Sequence, residues 1–151
     1  MLLLECKPDE TLAHALGRVR RECRHLNDKG RVCNWLKRNK TMTGMIDEDP
    51  GAAQPPYLQT LQVVSDEYGI RELRDDARGH RLVVLQPRLE EWIIAAAAAA
   101  GVHMAKHGLS DRGNELHKEI NSKLRQFEEL LEELKKAHSQ HLRRLADLLS
   151  P

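Results

Sequence analysis

The chain has 151 residues, enough for one domain with a real core, and is 40% hydrophobic and 31% charged, the balance of a folded, soluble chain rather than a disordered one. Its formal net charge is +1, so no global field directs it to nucleic acid or to a membrane, and any such preference must reside in local patches. Aromatic residues make up 3% and there are three cysteines, none in CxxC spacing, which speaks against a base-stacking platform, a disulfide framework or a zinc site and fits a reducing cytoplasm.

In chain order, residues 2–6 read as a short buried strand, far too short for a signal peptide or a membrane span. The stretch 8–23 opens with Pro8, Asp9 and Glu10 and spaces Leu12, Ala15, Leu16 and Val19 as a helix does. A turn over 27–30 precedes a second helix over 31–39. A strand over 41–47 then runs into Asp47, Glu48, Asp49 and a Pro-Gly break. Residues 57–68 favour no element. A hairpin is expected from strands near 69–74 and 81–86 around a turn at 75–79. Pro87 ends it, and a helix rich in alanine follows to about residue 102.

Residues 114–149 read as one long helix. Ile120, Phe127, Leu134, His141 and Leu148 recur every seven residues, and Leu124, Leu131, His138 and Leu145 do the same four residues on. That is a coiled-coil seam. His138 and His141 fall on it, and neither they nor His103 and His107 belong to an HExxH pattern. The whole pattern predicts an α/β fold with a mostly parallel small sheet flanked by helices, plus a long coiled-coil-like C-terminal helix. The expected divisions are a domain over 1–105, a linker over 106–113, and a helix over 114–151 for packing or homo-oligomerisation.

The acids carry the chemistry. Alternate residues of a strand share a face, so Asp47 and Asp49 are expected to point together at a strand's carboxyl end, where α/β sheets place their sites. If the first strand neighbours this one, Glu5 joins them. Three carboxylates so close repel unless a cation sits between them, and a hard divalent ion with oxygen ligands suits the cluster. Taken alone, the DEDPG stretch equally suits a solvated acidic turn. Glu90 and Glu91 stand just after a strand and can complete the site from another strand end, although acids there also suit the first turn of a helix. Positive charge gathers over 18–40, in Arg18, Arg20, Arg21, Arg24, Lys29, Arg31, Lys37, Arg38 and Lys40. A phosphate backbone beside an acidic metal site wants such a flank. Lys29, in an Asp-Lys-Gly turn, is the best single phosphate contact, with Arg31 and Lys7 beside it.

"LLLECKPDETLAHAL" followed by "GMIDEDPG" resembles the Toprim domain of topoisomerases, primases and OLD-type nucleases, and more closely small stand-alone Toprim-like bacterial proteins. The likeness rests on Glu5 with Asp9, on Lys29-Gly30, on Asp47-Glu48-Asp49-Pro50, and on "VVLQPRLEEWI" downstream. It implies a Mg2+- or Mn2+-dependent nuclease in which Glu5, Asp47 and Asp49 are catalytic and, with Glu91, hold the metal, Glu5 serving as ligand or general base. It further implies a nucleic-acid substrate, an ATPase partner protein and a role in defence against phage. Cys6 stands where that family has Gly, and this motivates a reading of another class: a non-catalytic regulatory or interaction subunit that pairs through its C-terminal helix.

Overall fold

Leu2, Leu3 and Leu4 are all fully buried, and their alternation sets the layers of the molecule. In a computed structural model describing residues Met1–Pro151, they form β1 (Leu2–Leu4), followed by α1 (Lys7–Ala15), β2 (Cys23–His25), α2 (Lys29–Arg38), β3 (Thr43–Asp47), β4 (Gln62–Glu67), β5 (Ile70–Asp75), β6 (His80–Leu85), α3 (Leu89–Ala100), α4 (Gly113–Glu119), α5 (Leu124–Lys136) and α6 (Gln140–Leu149). The six strands make one sheet in the order β2-β1-β3-β6-β5-β4. β2, β1, β3 and β6 run parallel, and β5 and β4 add an antiparallel edge.

Period two sorts the core. Leu2, Leu4, Met45, Val83 and Leu85 face one side of the sheet, where α1, α3 and the last three helices cover them in a cluster of 26 buried residues. Leu3, Ile46, Leu82 and Val84 face the other side, under Val32, Cys33 and Leu36 of α2 and under Tyr57. The split follows from chirality. The chain steps from β1 to β2 in one direction and returns past β1 to β3 in the other; because parallel crossovers are right-handed, reversal of direction moves the connecting helix to the opposite face. Gly44 makes the α2 side possible. A Cβ there would stand 2.8 Å from Leu82 Cδ1 and 3.2 Å from Val32 Cγ1.

The first helix is shorter than its periodicity predicts. α1 stops at Ala15 because Gly17 adopts φ +96°, a left-handed conformation that ends helices. Cys23, expected as the last residue of that helix, instead opens the edge strand β2. α2 begins two residues early, at Lys29, because the Asp28 carboxylate accepts from the Arg31 amide at 2.7 Å and caps the helix there. The hairpin of β5 and β6 and the helix α3 lie where the sequence puts them.

The expected long C-terminal helix is three helices. Lys123 leaves helical geometry between α4 and α5, and His138, at φ +57°, breaks α5 from α6. Ser139 then caps α6 by accepting from the Leu142 amide at 3.3 Å. The heptad positions Ile120, Phe127, Leu131, Leu134, Leu145 and Leu148 are nonetheless buried, and they are buried in this chain's own core rather than in a seam between chains. Each such Leu or Phe contributes roughly 2 kcal/mol of burial. Arg18 and Arg81 fasten the end of α6 by donating to the carbonyls of Leu149 and Leu148, both at 2.8 Å, cations placed where the helix dipole is negative. No helix is long and apolar enough to cross a membrane.

Because α5 shares the core of the sheet, Phe127→Ala is expected to lower the unfolding free energy by about 3–5 kcal/mol while urea unfolding, followed by circular dichroism and by tryptophan fluorescence, stays a single transition. Two separate transitions would show the C-terminal helices to be an independent unit.

Candidate functional site

The reversal of strand order places a crevice outside the carboxyl ends of β1 and β3, the usual position of a site in an open α/β sheet. Glu5 is the first residue past β1, and Asp47 is the last of β3. The register pairs Leu4 with Met45, so Glu5 stands level with Ile46, one step short of Asp47. Both side chains line a cleft of about 500 Å³ together with Asp49, Lys29, Arg88 and Glu90.

Each acid is held differently. Asp9, wholly buried in the first turn of α1, accepts from the amides of Glu5 and Cys6, both at 3.2 Å; it fixes the turn that aims Glu5. Asp47 uses Oδ1 to accept from the Leu89 amide at 3.0 Å, so a strand-end carboxylate caps the N-terminus of α3 from across the sheet. Glu5 Oε1 is shielded from solvent and has no hydrogen-bond partner. Asp49 reaches the cleft by a route other than strand alternation. The strand ends at Asp47, and Asp49 turns through φ +43° with its amide on the Pro87 carbonyl at 2.8 Å. Glu48 points away from the crevice, its carboxylate accepting from Gln86 at 3.0 Å with Arg71 nearby.

Burial pushes Glu5 up to about 8, and the neighbouring Asp9 adds to it, against the pull of Lys29. Burial likewise raises Asp47, followed by the charges of Glu5 and Glu90, and burial with the charge of Asp47 raises Asp9. Burial also raises the Cys6 thiol, which keeps it neutral. Several carboxyl groups thus share a desolvated space with too few cations to match them.

The expected cations divide. Lys29 lines the cleft, but its ammonium donates to the Glu48 carbonyl at 2.7 Å and to Gln54 Oε1 at 3.1 Å, tying α2 to the loop after β3. Arg31 lies on the exposed surface against Asp28 at 3.4 Å, and Lys7 is exposed at the start of α1; neither lines the cleft. Glu91 does not enter the cleft either. Its carboxylate is gripped by the Arg88 guanidinium through Nε and Nη2, which holds it below the usual carboxylate range. The acid that α3 sends inward is Glu90, buried, with Oε1 at 2.9 Å from Nδ1 of His117 on α4 and Oε2 unpartnered. His117 was not foreseen, and nothing in its sequence neighbourhood marks it.

No three His, Cys, Asp or Glu side chains stand already gathered around one point. The donors available are nonetheless all oxygen, from Glu5, Asp47 and Asp49, and the orphaned Glu5 Oε1 is the type of atom a hard divalent cation satisfies. Compared with protein-family models, curated proteins and solved structures, the chain matches none.

The raised acids carry a sign. A carboxyl group whose folded-state value lies above its unfolded one binds more protons when folded, so stability falls as pH rises. For Glu5 the loss runs from the ordinary 4.5 through about 8. Melting temperature measured in a chelator is expected to fall between pH 5 and pH 8. Millimolar Mn2+ should restore it at pH 8 and do nothing at pH 5. Glu5→Gln should flatten the slope and raise the pH 8 value by roughly 2–4 °C for each kcal/mol of repulsion removed. A flat profile for the wild-type protein would contradict the described crowding of acids.

Proposed function

We propose that the chain is a Toprim-like, divalent-metal-dependent phosphodiesterase that cuts nucleic acid at this cleft. One observation carries the reading: Glu5 and Asp47, distant in sequence, meet as desolvated carboxyl groups at the switch point of the sheet, with one oxygen left without a partner. Glu5, Asp47 and Asp49 would hold Mg2+ or Mn2+, which when bound neutralises charge building on the phosphodiester and its attacking and leaving oxygens.

The chain's own residues then bind and orient the substrate. An ammonium has three donors; Lys29 spends two on Glu48 and Gln54 and retains one for a phosphate oxygen. Arg88 binds Glu91 and Asn114 through Nε and Nη2, which leaves Nη1 to the cleft that Arg88 lines. Glu91 is therefore the residue that steadies Arg88. The carboxyl end of β2 reaches the cleft through Asn27 and Asp28, and β2 presents exposed Arg24 and His25 beside the basic surface of α2. A phosphate backbone led along that edge meets positive charge before it meets the acids. Arg24 itself lies over the Trp35 ring at 4.3 Å, a pairing that keeps the guanidinium extended at the edge.

A second reading has its own support. The acids are not pre-gathered, and Cys6 places a half-buried neutral side chain at the first turn after β1. Both suit a shell that binds or regulates without catalysing.

Plasmid, single-stranded DNA and RNA incubated with Mn2+ or Mg2+ separate the two. The phosphodiesterase reading expects metal-dependent cleavage that Asp47→Asn and Asp49→Asn each reduce at least 100-fold, the equivalent of about 2.7 kcal/mol of barrier. Absence of cleavage together with absence of a metal-induced thermal shift leaves the regulatory reading.

A further inference from the structure

Glu90 and His117 make a pair that the stability of the fold does not explain. The Glu90 side chain is 7% exposed and that of His117 is 60% exposed. Oε1 of Glu90 meets Nδ1 of His117 at 2.9 Å, and Oε2 is shielded from water with no partner. Leaving a buried carboxylate oxygen unpaired costs about 1–3 kcal/mol or more. A contact to a ring this exposed returns little, because exposed ion pairs are worth about 0–1 kcal/mol. An apolar residue in place of Glu90 would extend the buried face of α3 that carries Ile93 and Ala97, at no such cost.

The geometry has a chemical consequence. A carboxylate only accepts hydrogen bonds, so the ring nitrogen facing it, Nδ1, carries a hydrogen. Nε2 is then the working end. It makes no hydrogen bond within the chain, and His117 lines the same cleft as Glu5, Asp47 and Asp49. A ring fixed in orientation and tautomer by a buried carboxylate, with its second nitrogen open to a cleft, is the arrangement by which proteins place a proton-transferring imidazole. His117 arrives on α4, from the part of the chain that otherwise only packs against the sheet. Asn121, just beyond α4, enters the cleft beside it.

We propose that His117, oriented by Glu90, is the group that protonates the departing oxygen of the phosphodiester; this rests on the phosphodiesterase reading above. In the step, the oxygen of water bonds to phosphorus and the ester P–O bond breaks. Its electron pair passes to the departing oxygen, which takes the proton from Nε2 of His117. The ring takes a proton at Nε2 from solvent before the step and so enters it as an imidazolium with Nδ1–H on Glu90; the attacking water releases one proton to solvent, and the ring returns to its neutral Nδ1–H tautomer. Glu90 acts as a positioning residue. It touches the ring and not the substrate.

The test compares two substrates with Mn2+ present: a single-stranded oligodeoxynucleotide, whose departing sugar oxygen needs a proton, and the p-nitrophenyl ester of thymidine 5′-phosphate, whose phenolate leaves without one. His117→Ala and His117→Gln are expected to lose about 10²- to 10⁴-fold on the oligonucleotide and to stay within about threefold of wild type on the nitrophenyl ester. Glu90→Gln should show a smaller loss confined to the oligonucleotide. A readout independent of turnover is the ¹⁵N spectrum of His117 in the metal-free protein at pH 8, expected to show the Nδ1–H tautomer, which Glu90→Gln should shift towards Nε2–H. Equal losses on both substrates, no loss on either, or a dominant Nε2–H tautomer in the wild type overturns the assignment and leaves the phosphodiesterase reading in place. A wild-type protein that cuts neither substrate removes that reading and the role of His117 together.

Discussion

The return of the chain past β1 governs both the layers of this protein and the place where its chemistry can occur. Had β3 been laid beyond β2, α1 and α2 would share a face, and the ends of β1 and β3 would be separated by a strand. Because β3 lies on the other side of β1, the two crossover helices diverge to opposite faces and leave a crevice between their N-terminal turns. The charged residues that the sheet brings to the crevice follow from this order: Glu5 stands at the end of β1, Lys29 at the start of α2, Asp47 at the end of β3, and Glu90 at the start of α3 behind β6. β6 joins β3 in parallel, with Asp47 opposite Leu85, so the N-terminus of α3 comes close enough for Asp47 to cap it.

That cap shows how structural and chemical roles divide within one side chain. Asp47 gives one oxygen to the Leu89 amide, and the other belongs to the cleft. Asp9 gives its carboxylate to two amides of the β1–α1 turn and has no other task. The amides favour ionised carboxylates, while burial and mutual repulsion favour neutral ones; for Glu5, Asp9 and Asp47 burial is the larger influence. Acids elsewhere are treated in the opposite way. Glu91, Glu119 and Glu133 sit near the surface and are held below the ordinary range, Glu91 by Arg88, Glu119 by the Ser110 amide and then Lys123, and Glu133 by His107 and then Lys106. The contrast isolates the crevice as the place where the fold tolerates unmatched negative charge.

Much of this was legible in the sequence where one signal acted alone. Apolar runs that stop at Glu5 and at Asp47 gave the strand ends, and the DEDPG break gave the crevice side of β3. The failures have local causes. β2 contains one apolar residue in three and lies at an exposed edge, so it carries no period to detect, while Gly17, the residue that ends α1, stood in plain view. The apolar heptad positions do lie on one stripe, but that stripe survives two short breaks, because a few non-helical residues at Lys123 and at His138–Ser139 return the chain to the same sheet face. Glu90 had a readable signal as well. It shares a helix face with Ile93 and Ala97, both buried, whereas Glu91 shares one with Ala95 and Ala98, both exposed. The Asp-Lys-Gly turn set Lys29 ahead of Arg31 and Lys7, and Lys29 is the one that reaches the crevice; that the other two stay outside it is decided by tertiary contacts.

The C-terminal helices tie these points together. Read as a heptad stripe they left packing in cis and pairing in trans both open; they contribute Leu116, Ile120, Phe127, Leu131, Leu145 and Leu148 to the cluster that holds Leu2 and Leu4 of β1. Burying that stripe in cis sets α4 against α3, and it is this packing that carries His117 to Glu90. Arg18 and Arg81 then anchor the far end of α6 from the opposite, amino-terminal side of the sheet. The segment is therefore clamped at both ends of the strands, and a change in its packing reaches the crevice through the hydrogen bonds of His117 to Glu90 and of Arg88 to Asn114. A crevice supplied from β1, α2, β3, α3 and α4 closes only when the whole chain is folded, so whatever binds there reads the integrity of the entire core.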